Sequence, residues 1–126
     1  MAKGIKDYMA EAKGMIQEID VAEAKELVAD PGVVFLDVRE PPELANTGHI
    51  PGAVHVPRGL LEFQADPEAP THKAELDPSK KIVINCASGG RSALAAKTLT
   101  EMGYTDVVNL IGGMTAWLEA GGPTEK

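Results

Sequence analysis

Two segments constrain the fold of this chain most: Val33-Val34-Phe35-Leu36-Asp37-Val38 and Lys81-Ile82-Val83-Ile84-Asn85. Both are continuous runs rich in β-branched and apolar residues, without the alternating polar positions of a half-exposed strand. Such runs mark strands covered on both faces. Covering both faces takes helices, and helical patterns do separate the strands. Asp20 is placed to cap a helix over Val21–Ala29, with Glu23 at the matching capping-box position, and Pro31-Gly32 ends it. Pro41-Pro42 stops the first run, and a short strand over Ala53–Val56 follows the Pro51-Gly52 turn. Gly59–Phe63 reads as a short helix, and Asp66–Pro78, with three prolines, reads as a loop. Beyond the second run come a helix over Ser92–Met102 closed by Gly103, a strand over Val107–Leu110, and a helix over Met114–Ala120 ended by Gly121-Gly122-Pro123. Strands alternating with helices predict an α/β domain, a central parallel sheet with helices on both faces.

At 126 residues the chain can bury one sizeable core. No internal repeat and no boundary interrupts residues 19–122, which are expected to form one domain, followed by a tail at 123–126. Residues 1–18 are expected to be a helical extension. Ile5, Tyr8, Met9, Ala12, Met15, Ile16 and Ile19 recur at spacings of three and four, with Gly14 as an expected interruption. That stripe is expected to lie on the domain's own surface, contact with another subunit being the alternative.

Charge and cysteine usage narrow the function. Twelve Lys and Arg against nineteen Asp and Glu leave a net charge of −7. The broad basic surface that nucleic acid or anionic lipid requires is missing, so neither is expected as a partner. The longest apolar runs fall far short of the ~20 residues that span a bilayer. There is one cysteine, Cys86. It excludes an internal disulfide, a CxxC redox pair and a cysteine-rich zinc site. His49, His55 and His72 are scattered and suggest no metal site, and His49 is expected to order the turn at 48–53. A lone thiol and a start without a signal-peptide apolar core point to a reducing cytoplasm.

Cys86 lies at the carboxyl end of the second buried strand, where open α/β sheets bind ligands. Ala87, Ser88, Gly89 and Gly90 separate it from Arg91 and a helix start. Small residues there let the chain curl so that backbone N–H groups face the sulfur, and the helix N-terminus adds partial positive charge. Such a cradle depresses a thiol pKa, and the thiolate is the nucleophile. The competing reading is an inert core cysteine. Trp117 reads as core packing, and Gly112-Gly113 as a backbone turn rather than a phosphate loop.

These features, in this order, resemble the rhodanese-like sulfurtransferases. The likeness runs from Phe35-Leu36-Asp37-Val38-Arg39 through Glu43 and Gly48-His49-Ile50-Pro51-Gly52-Ala53. It continues through Cys86-Ala87-Ser88-Gly89-Gly90-Arg91 to Gly112-Gly113-Met114-Thr115-Ala116-Trp117. It implies a rhodanese-like fold and an enzyme of the thiosulfate:cyanide sulfurtransferase class. Cys86 would take sulfane sulfur from a donor such as thiosulfate, hold it as a persulfide, and pass it to cyanide or a thiol. Ala87, Ser88, Gly89, Gly90 and Arg91 would bind substrate, and no metal or organic cofactor is called for. Asp37 and Arg39 would brace the loop, an ordinary ion pair being the alternative. Partners would be a small sulfur donor, a thiophilic acceptor and possible protein acceptors.

One position departs from the family pattern. Thiosulfate-using relatives often carry Arg or Lys after the cysteine, and here Ala87 stands there. Arg91 and Arg58 are the cations available to compensate. Two other functions compete. One is a persulfide carrier that relays sulfur to a partner protein. The other is a cysteine phosphatase, which needs five residues between cysteine and arginine where this chain has four, and an acid that neither Asp37 nor Glu43 is placed to supply.

Overall fold

The computed structural model describes residues 2–126. Five parallel strands form one sheet: β1 (Gln17–Ile19), β2 (Val33–Asp37), β3 (Val54–His55), β4 (Lys81–Asn85) and β5 (Val107–Leu110), in the order β1-β5-β4-β2-β3. The two segments singled out above are the adjacent strands β2 and β4, and Val33–Asp37 pairs residue by residue with Lys81–Asn85. Their side chains feed two cores, one on each face. Ile82 and Ile84 join Leu36, Leu61, Ala95, Ala96 and Leu99 on one face. Val83 joins Phe35, Ala24, Met114 and Trp117 on the other.

Six helices cover the sheet: α1 (Ile5–Met15), α2 (Val21–Leu27), α3 (Pro41–Thr47), α4 (Leu61–Ala65), α5 (Gly90–Glu101) and α6 (Gly113–Glu119). A 3-10 turn at Arg58–Leu60 leads into α4. Asp20 caps α2 as expected, its Oδ1 accepting from the Glu23 N–H at 2.9 Å. Trp117 is fully buried against Phe35, edge to face at 6.3 Å.

Three segments outside the thiol loop differ from expectation. The helical stripe stops at Met15, Gly14 does not interrupt it, and Gln17–Ile19 form β1 at the sheet edge. An edge strand of three residues that buries only Ile19 has too short a period to read. Pro41-Pro42 does more than end β2, because it opens α3. Proline lacks an N–H where a helix start has no use for one, and the Glu40 N–H is taken up by Glu43 Oε1 at 3.0 Å. Residues 123–126 return to the domain: Glu125 bridges His49 through both backbone groups, and Trp117 Nε1 donates to Pro123 O at 2.8 Å.

Candidate active site

Cys86 follows directly on β4, the central strand, at the end where a parallel sheet opens. Gly89 then turns with φ +111°, a left-handed conformation that L side chains rarely adopt. The turn swings the Gly89 N–H onto Cys86 Sγ at 3.0 Å. It also starts α5 at Gly90, two residues before the expected Ser92, so Gly90 and Arg91 belong to the first helical turn.

The early start carries Ser92 to the sulfur. Its Oγ lies 3.4 Å from Sγ and 2.6 Å from Asn109 Oδ1. One hydroxyl hydrogen meets one acceptor at a time, and Asn109 Oδ1 is the nearer of the two. Asn109 Nδ2 donates to Gly89 O and to Glu18 Oε2, each at 3.2 Å, which orients the amide and ties β5 to the thiol loop. Burial pushes the Cys86 thiol up, but the Ser92 hydroxyl and the N–H groups of Ser92, Gly89 and Ser88 outweigh it and hold the thiol below its ordinary value.

Two ion pairs frame this loop. Arg91 meets Glu43 of α3 in a two-pronged pair at 2.7 and 2.9 Å. The hydrogen bond from Arg91 holds the Glu43 carboxyl down at about 2, against the opposing effect of burial. Glu43 in turn raises the Arg91 pKa, and the Cys86 charge adds to that to a smaller degree. Deeper down, Arg39 and Asp37 are 2% and 0% exposed. Arg39 Nη2 donates to Asp37 Oδ2 at 2.8 Å and to Gly48 O at 2.9 Å, while Nη1 donates to Thr47 Oγ1 at 2.8 Å. The pair thus bolts β2 to the end of α3, the helix that carries Glu43.

Arg58 is not brought to the loop. It reaches Glu62 and Thr98, and Thr98 lies seven residues beyond Arg91 on α5, about 10 Å along the axis. Gly112-Gly113 forms a backbone turn as expected, pressed against the thiol loop. The Met114 and Thr115 N–H groups donate to Cys86 O and Ala87 O at 2.8 and 3.0 Å. A side chain on Gly113 would begin 2.5 Å from Cys86 O.

Two cavities flank the loop. One of about 150 Å³ adjoins Ala87, Arg39, Glu43 and Thr47. The other, of about 270 Å³, lies between α1 and residues 88–90. Ser92 and Asn109 escaped sequence reasoning. Asn109 had a signal, a polar side chain inside an otherwise apolar strand, and it is 1% exposed. Ser92 had none, because its role depends on where the helix begins.

Fold and site define a class: a parallel α/β domain that presents one cysteine within backbone N–H groups at the end of its central strand. The rhodanese-like domain profile matches residues 20–120, and the chain belongs to the rhodanese-like sulfurtransferase family. It is 36% identical to a sulfurtransferase of Allochromatium vinosum over 86% of this chain and 94% of that one. It is 35% identical to thiosulfate sulfurtransferase 16, chloroplastic, of Arabidopsis thaliana, over 93% and 99%. A Bacillus subtilis protein named as a sulfur carrier is 37% identical over 88% of this chain, which spans 56% of that protein's length. A solved structure of a protein of unknown function from Rhodopseudomonas palustris superposes with a TM-score of 0.94 at 42% identity, over 99% and 96% of the chains, and tyrosine phosphatase activity has been suggested for it. No helix among the described residues is long and apolar enough to cross a membrane.

Proposed function

We propose that the chain moves sulfane sulfur through a persulfide on Cys86. Thiolate Cys86 attacks the outer sulfur of thiosulfate or a persulfide donor. The donor's S–S bond breaks and sulfite or a thiolate leaves. A thiophilic acceptor, cyanide or a thiol, then removes the terminal sulfur and restores the thiolate. One observation carries this reading: Sγ is held by N–H and O–H donors alone, with no proton-donating carboxyl in contact. Donors around a sulfur stabilise the thiolate and the persulfide anion that replaces it, so the same groups serve both halves of the cycle.

The phosphatase reading is disfavoured on the same geometry. A phosphate would need Arg91 and an acid for its leaving group. Arg91 is already paired with Glu43, and that carboxyl is held at about 2, ionised at neutral pH. The carrier reading has in its favour Ala87, the net charge of −7 and the name of the Bacillus subtilis relative.

Intact mass after incubation with thiosulfate, and separately with an aryl phosphate, tests the assignment. One added sulfur atom is expected with thiosulfate. Phosphate release without a sulfur adduct would overturn the reading. Thiocyanate formed rapidly on adding cyanide marks an enzyme, and slow discharge marks a carrier.

Thiosulfate itself is expected to be a poor donor. It is a dianion, Ala87 brings no cation to the loop, Arg91 is neutralised by Glu43, and Arg58 is held elsewhere. Steady-state kinetics should give a KM in the millimolar range or above. A value well below that range would show that this charge balance is not what governs donor capture.

A further inference from the structure

The cavity between α1 and the thiol loop is larger than an inorganic donor requires. At about 270 Å³ it falls just under the ~300–1,000 Å³ of sites that bury organic ligands. Its lining is mixed. Met9 is half-buried and Ile111 is 50% exposed, giving it apolar walls. Lys13 and Glu18 supply one charge of each sign. Lys13 makes no ion pair among the described residues. Glu18 is held through Asn109, which also holds Gly89 O. The fourth side is the loop whose Gly89 N–H touches the sulfur of Cys86.

Three of these residues, Met9, Lys13 and Glu18, precede residue 20, where the family match begins. The wall therefore belongs to the extension that precedes the residues matched by the family profile. It sets a cation beside the thiol loop, where Ala87 brings none. The carboxylate of Glu18 disfavours a simple anion, and the apolar walls disfavour an inorganic one. A ligand with both charges and a short carbon chain satisfies all three features.

We propose that this cavity binds an organic thiol of the amino-acid type, its carboxylate on Lys13, its ammonium group toward Glu18 and its carbon chain against Met9 and Ile111, as the acceptor of the sulfur on Cys86. The proposal rests on the sulfur-transfer reading above. In the step itself the acceptor thiolate attacks the outer sulfur of the Cys86 persulfide. An S–S bond forms on the acceptor and the bond between that sulfur and Sγ breaks. Its electron pair returns to Cys86 as thiolate, and the proton given up by the acceptor thiol ends on the transferred sulfur. No oxidant or reductant is consumed.

The test follows discharge of preformed persulfide by sub-saturating L-cysteine or 2-mercaptoethanol, read by intact mass against time. The ratio of the two rates in a variant is compared with the wild-type ratio, which cancels the intrinsic reactivity of each thiol. Lys13→Gln should lower the cysteine-to-mercaptoethanol ratio about fivefold, the upper end for an exposed ion pair. Lys13→Arg should keep it within about twofold, because the charge is retained. Glu18→Gln should lower it as well. Both side chains are exposed, so the fold is not at risk. Persulfide that forms normally but discharges with an unchanged ratio in Lys13→Gln and Glu18→Gln overturns the cavity's role alone. Wild-type protein that gains no sulfur overturns the reading beneath it.

Discussion

Cys86→Ser is expected to abolish sulfur uptake, with no mass gain after thiosulfate and turnover reduced by at least about 10³-fold. The chain has no other cysteine to take over. A serine hydroxyl stays protonated near neutral pH in a cradle that suffices only for a thiol, and it makes no S–S bond. The fold should survive, because serine is close to cysteine in size and its oxygen can accept from the Gly89 N–H that now meets Sγ. Thermal unfolding should move by no more than about 1 kcal/mol. The wild-type thiol offers a second readout. Its pKa is lowered by the Ser92 hydroxyl and the N–H groups of Ser92, Gly89 and Ser88. Alkylation by iodoacetamide follows the thiolate, so the rate should rise with pH to a midpoint below the ~8.5 of a free cysteine. A midpoint at or above that value would mean that burial wins over the donors.

Arg39→Ala should be the most destabilising of the substitutions considered. It removes the partner of Asp37, which is 0% exposed, and leaves a buried carboxylate with only Asn85 Nδ2 at 3.3 Å and the Arg39 N–H at 3.0 Å. Breaking a buried pair in this way costs about 3–5 kcal/mol, or roughly 10–20 °C in Tm for a domain of this size. The same change frees Thr47 and Gly48 from β2, so α3 and its Glu43 lose their anchor. Loss of activity should therefore accompany loss of stability, although Arg39 makes no hydrogen bond to the sulfur. Asp37→Asn with Arg39→Met removes both charges and should be less destabilised than Arg39→Ala alone. Equal denaturant midpoints for the single and double variants would show that the unpaired charge is not the cause.

Much of this arrangement was legible in the residues. β2 and β4 were readable because strands covered on both faces leave an unbroken apolar run. The position of Cys86 followed from the strand before it and the glycines after it. The order of the motifs was enough for the family. β1 and α3 were not readable, one because three residues carry no period, the other because prolines end a strand and open a helix with equal ease. Arg91 was visible as a cation but not as a committed one. Its partner Glu43 lies 48 residues away, and long-range pairing leaves no local trace.

The sequence by itself determined the kind of sheet and singled out the atom, Cys86 Sγ, to which the proposed chemistry is assigned. A lone thiol at a strand end before Ser-Gly-Gly-Arg has few other uses, and a single cysteine forces any persulfide to discharge to an outside acceptor. The tertiary structure alone decided what surrounds that atom. Ser92 reaches the sulfur because α5 starts early, and Asn109 reaches Ser92 because β5 lies beside β4. Lys13 lines a cavity at the loop because α1 packs across α5. Each of these depends on contacts between residues far apart in the chain. Their free energy is set by burial and hydrogen bonding in three dimensions, and local sequence pattern does not record it.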